Sequence, residues 1–223
     1  MLDAPPRTYG HVIVDEAQDL TPMQLRMVSR RAREGALTIL GDVAQATGAV
    51  RYSRWDEVLP HLPRGDEATI EELLHAYRVP REIMELALPL LARIAPDVEP
   101  PLAYRQGGAL PRLVRVAADD LLPAAMREAA SLAELDGLLA VITPRSLAVD
   151  ADFGDAFDEA SVSVLTPRQA KGLEFDHVVV VEPAAIAEDG EQGLRELYVA
   201  LTRPTKTLVV VHARPLPEGL GTT

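Results

Sequence analysis

Short runs of apolar, often β-branched residues alternate with helical segments along much of this 223-residue chain. The runs at 113–116, 138–142 and 177–181 are too short for helices, which is typical of buried strands. A stretch with helical periodicity, 121–135, separates the first two runs. This alternation predicts βα units arranged in a mainly parallel sheet, and therefore an α/β fold.

The composition is that of a protein with a substantial core and no covalent cross-links. Hydrophobic residues make up 48% of the chain, enough for one large or two small cores. The absence of cysteine excludes disulfides and thiolate metal sites and favours a reducing compartment, so we predict a cytoplasmic protein. The N-terminal residues lack the pattern of a signal peptide, and no apolar run has membrane-spanning length, so we expect no membrane association.

The charge balance argues against tight, autonomous binding of nucleic acid. The chain carries 22 basic and 34 acidic residues, a formal net charge of −12, which opposes long-range attraction to phosphate backbones. Aromatic residues, on which bases stack, amount to only 4%. A local basic groove remains compatible with this balance.

The segment 10–19 combines a strand with acidic chemistry. Its β-branched residues end abruptly in Asp15 and Glu16, so a buried strand delivers two carboxylates to its carboxyl end. Ligands of open parallel sheets bind at such ends, and Mg²⁺ takes oxygen ligands. Asp15 is therefore a candidate Mg²⁺ partner, and Glu16 a candidate base for water that attacks a phosphoryl group. The alternative is a strand followed by an ordinary acidic loop.

Three further polar residues follow regular elements. A second strand, 37–40, leads into Gly41-Asp42-Val43-Ala44-Gln45, where the Gln45 amide can meet a phosphate oxygen or orient a water, although Gly-Asp alone is also turn chemistry. Arg78 lies between a predicted strand, 68–73, and a helix that Pro80 opens. Arg203 closes a later helix, where it can simply complement the helix dipole.

Taken in order, these segments resemble the later motifs of superfamily 1 helicases of the UvrD, PcrA and Rep kind. The resemblance covers motifs II, III, IV, V and VI, carried here by Asp15-Glu16-Ala17-Gln18-Asp19, Gly41-Asp42-Val43-Ala44-Gln45, Tyr77-Arg78, Ala170-Lys171-Gly172-Leu173-Glu174-Phe175 and Tyr198-Val199-Ala200-Leu201-Thr202-Arg203. It implies a RecA-like α/β fold with mainly parallel sheets, in which a partial first domain precedes a second domain. Residues 1–67 form the trailing part of the first domain, and 68–223 form the second with a short tail.

The resemblance also implies roles for individual residues. Asp15 holds Mg²⁺, Glu16 activates water, and Gln45 senses the γ-phosphate of ATP. Arg78 and Arg203 reach that phosphate from the second domain as arginine fingers, since guanidinium groups suit phosphate geometry. The remaining implied contacts to the nucleotide come from Tyr77, Gly172 and Glu174, with Glu174 near the ribose.

Within the family, the sequences of residues 11–25 and 41–48 most resemble those of actinobacterial HelD-like proteins, which are ATP-driven motors that act on RNA polymerase. Three departures from the usual motifs suit such a role better than processive DNA unwinding. Ala46-Thr47-Gly48-Ala49 replaces the stacking aromatics of motif III, Thr166-Pro167-Arg168 lacks the usual motif V histidine, and Ala76 and Val79 flank motif IV. Motifs IV and V are also too close for the large inserted subdomain of UvrD-type enzymes.

The largest departure is the absence of a Gly-x-x-x-x-Gly-Lys-[Ser/Thr] phosphate loop, or Walker A motif. We therefore expect these residues alone to hydrolyse ATP negligibly and to depend on a missing N-terminal region that carries the loop. The intact protein is expected to use ATP and Mg²⁺, to bind DNA that this fragment holds only weakly, and to engage RNA polymerase in the HelD-like case. The alternative is an inactive RecA-like module for protein contacts. A nuclease built on Asp15, Glu16 and Asp19 has little support.

Overall fold

The computed structural model describes residues 7–48, 50, 52–148 and 162–220. The chain divides into two compact units, 1–72 and 73–223. The sequence predicts a domain boundary after residue 67. The assignment of the two units to two RecA-like domains stays a prediction. No helix in the described ranges is long and apolar enough to cross a membrane.

The first unit is built on a parallel pair of three-residue strands. β1 (Val12–Val14) pairs with β2 (Leu37–Ile39), with Ile13 opposite Thr38. The crossover contains α1 (Pro22–Ser29), whose first turn is closed by a capping box between Thr21 and Gln24. Short 3₁₀ turns make up most of the described regular structure after β2 in this unit, and one of them is Trp55–Glu57.

The second unit contains the remaining regular elements. Its strands are β3 (His75–Ala76), β4 (Leu102–Ala103), β5 (Arg112–Arg115), β6 (Leu139–Ile142), β7 (Val162–Leu165), β8 (Phe175–Val181) and β9 (Pro204–His212). Its helices are α2 (Arg81–Ile94), α3 (Leu121–Ala133), α4 (Arg145–Ala148), α5 (Pro167–Ala170), α6 (Pro183–Ile186) and α7 (Glu191–Leu201). β3 and β4 form a small parallel pair of their own.

A five-stranded sheet of order β5-β9-β8-β6-β7 forms the centre of this unit, and every neighbouring pair is parallel. The strands β6, β8 and β9 are almost continuously buried, which is typical of a parallel sheet covered on both faces. Helix α3 packs against these three strands, and α2 packs against α7. The mainly parallel α/β architecture predicted from the sequence is therefore confirmed.

Three local expectations differ from the structure or fall outside it. The predicted strand over 68–73 is wrong, because these residues are exposed and only 75–76, opposite β4, find a partner strand. The stretch 96–111 contains four prolines and a Gly-Gly pair, which predict an irregular loop, but the structure has β4 there, and β4 supplies that partner. The acidic stretch 150–159 predicts a surface loop, which lies outside the described residues.

Candidate functional site

In the first unit, the residues that follow β1 and β2 lie side by side. Because the strands are parallel, their carboxyl ends meet at one edge of the pair. The N–H of Leu40 donates to the Val14 carbonyl at 2.7 Å, and the N–H of Ala17 donates to the Leu40 carbonyl at 3.0 Å. The structure therefore brings the motif II and motif III segments together.

Gln18 connects the two segments through its side chain, which is fully buried. Its Nε2 donates to Glu16 Oε2 at 2.6 Å, and its Oε1 accepts from the Asp42 N–H at 3.1 Å. Gln45 continues the chain of contacts, because its Nε2 donates to Asp42 Oδ2 at 2.8 Å. The candidate base Glu16 and the candidate phosphate sensor Gln45 thus belong to one network, which we call the Gln18 network (Glu16, Gln18, Asp42 and Gln45).

The backbone at Glu16 is unusual. Its φ is 52°, in the left-handed region, which is uncommon for residues other than glycine, asparagine and aspartate. Its N–H donates to Asp15 Oδ1 at 2.8 Å. Such strain is retained where the surrounding structure requires it, and it concentrates at functional sites. Here it sends the Glu16 side chain towards Gln18 immediately after the strand ends.

The carboxylates at this edge fit a hard cation that keeps most of its own ligands. Asp15 is exposed, and Glu16 and Asp42 are half-buried. In the described part of the chain, no three acidic, histidine or cysteine side chains are close enough to hold a metal ion by themselves. Mg²⁺ is commonly bound through one or two carboxylates together with waters and phosphate oxygens. These carboxylates are compatible with such a cation, and the role of Asp15 in holding Mg²⁺ stays a prediction.

In the second unit, the loop between β7 and β8 contains two of the candidate residues. A capping box between Thr166 and Gln169 fixes the start of α5. Gly172 then adopts φ +74°, and a Cβ there would meet no described atom within 4 Å. The glycine is thus required by backbone conformation, and the open space beside it is compatible with a ligand approaching the backbone.

Glu174 and Arg78 form an ion pair, although they come from opposite parts of the unit. Arg78 follows β3, and Glu174 immediately precedes β8. Both side chains are about half-exposed, at 42% and 49% for Arg78 and Glu174. The structure therefore places together the two residues for which the resemblance implied contacts to phosphate and ribose.

Arg203, the second candidate arginine finger, is only 1% exposed. Its Nε donates to the Val199 carbonyl at 3.0 Å, its Nη1 to the Leu173 carbonyl at 3.2 Å and its Nη2 to Thr202 Oγ1 at 3.3 Å. The guanidinium therefore joins the end of α7 to the motif V loop. Contact between Arg203 and a phosphate requires an exchange of these acceptors, so its role as a finger stays a prediction.

Tyr77 lies on an exposed aromatic surface. The rings of Tyr77 and Tyr104 are 5.1 Å apart between centroids, and those of His75 and Tyr77 are 6.2 Å apart. Tyr77 is 62% exposed, so its ring has room to contact a ligand. The convergence of Asp15 and Glu16 with the arginines of the second unit stays a prediction.

The sequence did not single out two residues that hold these segments in place. Gln18 was one polar residue in an acidic turn, and nothing in its spacing indicated a buried connector. Arg105 lies in a loop rich in proline and glycine, yet it contacts the backbone around Arg78. The one signal available in the sequence was that a glutamine, Gln18, follows the two carboxylates at the end of the strand.

A comparison with protein families decides what the second unit is similar to. Residues 161–211 match the UvrD-like helicase C-terminal domain. The matched range spans β7 to β9 and includes Gly172, Glu174 and Arg203. This part of the chain is therefore similar to the C-terminal domain of UvrD-like helicases, in agreement with the resemblance of its motifs.

Curated relatives agree with this match. The chain is 34% identical over 95 residues to a DNA helicase II of Rickettsia typhi. This alignment covers 37% of this chain and 14% of the relative. A probable DNA helicase II homologue of Rickettsia felis is 33% identical over the same length and coverage. The chain thus spans about one seventh of the length of these relatives, 14% in each case.

Solved structures support the fold. The C-terminal domain of a possible DNA helicase from Lactobacillus plantarum has a TM-score of 0.51 at 20% identity and covers 66% of this chain and 92% of its own. The arterivirus nonstructural protein 10 helicase, solved with DNA, also has a TM-score of 0.51 at 20% identity and covers 92% of this chain and 40% of its own. Together with the parallel sheet, these similarities confirm the RecA-like α/β fold.

Proposed function

We propose that this chain is the C-terminal part of the motor of a superfamily 1 DNA helicase or translocase, in which ATP is hydrolysed between two RecA-like domains. The observation that carries the proposal is the Gln18 network, because it joins the candidate base Glu16 to the candidate phosphate sensor Gln45 at one sheet edge. Such a connection is what a site needs if the state of the γ-phosphate is to affect the attacking water. The helicase match of residues 161–211 supports the same assignment.

In the proposed reaction, Glu16 accepts a proton from the water that attacks the γ-phosphorus, while the bond from that phosphorus to the β,γ-bridging oxygen breaks and ADP leaves. Asp15 would hold Mg²⁺, which would supply positive charge next to the phosphate oxygens. Arg78 stabilises the negative charge on these oxygens from the second domain, in exchange for its ion pair with Glu174. Glu174, once released, accepts hydrogen bonds from the ribose hydroxyls.

The sequence contains no phosphate loop, so the cradle for the β- and γ-phosphates has to come from a region outside these 223 residues. Domain closure then completes the site only when nucleotide is bound, which couples hydrolysis to movement along nucleic acid.

The proposal is tested by steady-state ATP hydrolysis in the longest natural form of the protein. Glu16→Gln removes the proton acceptor while keeping the size of the side chain, so the turnover number is expected to fall at least about 100-fold. Glu34→Gln is the matched control, because Glu34 is exposed and also has a left-handed φ, 57°, in the same unit. Wild-type turnover by Glu16→Gln would overturn the assignment of the base.

A finer form of the proposal is that the motor is HelD-like and remodels RNA polymerase. It rests on the similarity of 11–25 and 41–48 to those proteins. Purified RNA polymerase is expected to co-elute with the longest natural form in gel filtration and to be released from DNA when ATP is added. Separate elution at micromolar concentrations would contradict this form while leaving the general motor function open to the test with Glu16.

The absent phosphate loop favours a second candidate, an inactive RecA-like module that serves protein contacts. Calorimetry of residues 1–223 with ATP and Mg²⁺ tests the inactive module, because clear micromolar binding by these residues would contradict it. The inactive module also predicts no turnover in any longer form, whereas the motor predicts turnover there. Turnover that depends on Glu16 in the longest form excludes the inactive module.

A further inference from the structure

The segment 102–108 lies alongside the residues that carry Arg78. The Leu102 N–H donates to the Leu74 carbonyl at 2.7 Å, and the Tyr104 N–H donates to the Ala76 carbonyl at 2.9 Å. These bonds flank the β3–β4 pair and set the register between the two segments. They place residue 105 opposite the turn that connects β3 to α2.

Arg105 contacts this turn on both sides of Pro80. Its Nη1 donates to the Arg78 carbonyl at 3.2 Å, while its own carbonyl accepts from the Arg81 N–H at 2.9 Å. Pro80 has no N–H, so the turn lacks one of its own donors. The Arg105 side chain therefore supplies a bond at the residue whose orientation matters most for the site.

The far end of the segment is also fastened to the start of α2. The Glu82 carboxylate accepts from the Gly107 N–H at 3.0 Å and from the Gly108 N–H at 3.2 Å. Hydrogen bonds from backbone N–H groups hold the pKa of the Glu82 carboxyl below its usual value. The N–H of Glu82 itself has the largest effect, and those of Gly107 and Gly108 add to it. A Cβ at Gly108 would lie 2.7 Å from the Pro80 Cβ, so only glycine allows this close approach.

The Tyr77 and Tyr104 rings add a side-chain contact next to these backbone bonds. Their tilted arrangement, with an interplanar angle of 42° and a centroid distance of 5.1 Å, lies within the favourable range for aromatic pairs. The segment 102–108 thus contacts residues on both sides of Arg78, namely Ala76 and Tyr77 before it and Arg81 after it. Arg78 extends from this fixed backbone to reach Glu174.

We propose that Arg105 is a positioning residue for Arg78, an inference that rests on the function proposed above. Arg105 acts through the Arg78 carbonyl and has no contact of its own with the reacting phosphate. It fixes the origin of the Arg78 side chain, so that the guanidinium meets the γ-phosphate when the site closes. Small displacements of a catalytic group are costly, because they lose the orientation that the transition state needs.

The experiment compares Arg105→Ala, Arg105→Lys and Arg78→Ala in the longest natural form of the protein. Arg112→Ala is the matched control, because Arg112 is an exposed arginine of the same unit that bonds to Glu128. We expect Arg105→Ala to lower the turnover number for ATP roughly 10- to 100-fold, with KM for ATP nearly unchanged. Arg105→Lys, which still offers an N–H donor to the Arg78 carbonyl, is expected to recover part of the loss.

Amide hydrogen exchange provides a second readout that does not depend on catalysis. In Arg105→Ala, the Arg81 and Tyr104 amides are expected to exchange roughly tenfold faster than in the wild type, while Arg112→Ala leaves them unchanged. Unchanged exchange in Arg105→Ala would overturn the positioning role. So would full turnover by Arg105→Ala when Arg78→Ala is inactive.

The two proposals fail in different ways. If Arg78→Ala hydrolyses ATP at the wild-type rate, the proposed catalytic role of Arg78 is wrong, whatever the exchange data show. If Arg78→Ala is inactive and both Arg105 variants lose turnover equally without faster exchange, the effect of Arg105 does not pass through Arg78, and the inference is overturned.

Discussion

Arg78 donates from Nη1 to Glu174 Oε1 across 96 positions of sequence. Both side chains are about half-exposed, so solvent screens the pair and its contribution to stability is small. A phosphate offers a guanidinium a better partner, because it carries more charge than a carboxylate. The pair is therefore a weak support for the fold, and the ligand-binding roles of Arg78 and Glu174 stay predictions.

The weakness of this pair is a testable prediction. A double-mutant cycle of Arg78→Gln and Glu174→Gln, followed by urea unfolding, is expected to give a coupling energy of about 0.2–1 kcal/mol. The coupling is expected to decrease further in 0.5 M salt, at a Debye length of roughly 4 Å. A coupling of several kcal/mol that persists in salt would show that the pair is structural.

Gln18 is expected to matter for stability as well as for the site. Gln18→Leu leaves the half-buried Asp42 N–H without its acceptor and removes the hydrogen bonds of a fully buried side chain, so we expect the free energy of unfolding to fall by about 1–3 kcal/mol. Gln106→Leu, at an exposed glutamine, serves as the control and is expected to change it by less than about 0.5 kcal/mol. Equal stability of the two variants would contradict the role of Gln18 as a connector.

Arg195 is a buried counterpart to the exposed arginines of the second unit. It is 1% exposed, its Nη2 donates to the Ile94 carbonyl at 2.6 Å, and it pairs with Glu191. Arg195→Met is expected to lower the free energy of unfolding by about 2 kcal/mol, because the carbonyl at the end of α2 loses a charged donor. Arg81→Met breaks an exposed i,i+4 pair with Glu85 and is expected to cost less than about 0.5 kcal/mol.

The stability of the second unit is expected to depend on Asp176 at acid pH. The Leu138 N–H, and after it Lys206, hold the pKa of the Asp176 carboxyl below its usual value. A lowered pKa in the folded state adds stability above the unfolded pKa of about 3.9, and this stability is lost as the pH falls through the folded value. Chemical unfolding should therefore show the wild type more stable than Asp176→Asn at pH 7, with the difference shrinking below about pH 4. A difference that stays constant from pH 7 to pH 3 would contradict this cause.

Much of the fold followed from short-range patterns in the sequence. β8 is a valine-rich run of the kind typical of a buried parallel strand, and the capping box at Thr21 marks the start of α1 directly. The strand expected at 68–73 failed for a tertiary reason. Its residues have strand-like composition, but β4 pairs only with 75–76.

The sequence placed candidate site residues at or near the ends of regular elements, as at Asp15, Glu16 and Arg78, and their roles stay predictions. The site was not predictable where one polar side chain holds another. Gln18 and Arg105 act through single hydrogen bonds to backbone groups far along the chain, at 24 positions for Gln18 and Asp42 and 27 for Arg105 and Arg78. Bonds over such separations depend on how the strands assemble, and no local pattern encodes them.

The burial of Arg203 has a mechanical consequence. Because its guanidinium bonds to both the Val199 and Leu173 carbonyls, the last turn of α7 and the loop before β8 are fastened together. The helix leads into β9 and the loop leads into β8, and these two strands are neighbours in the sheet. A single substitution at Arg203 therefore removes hydrogen bonds from the entries to two adjacent strands.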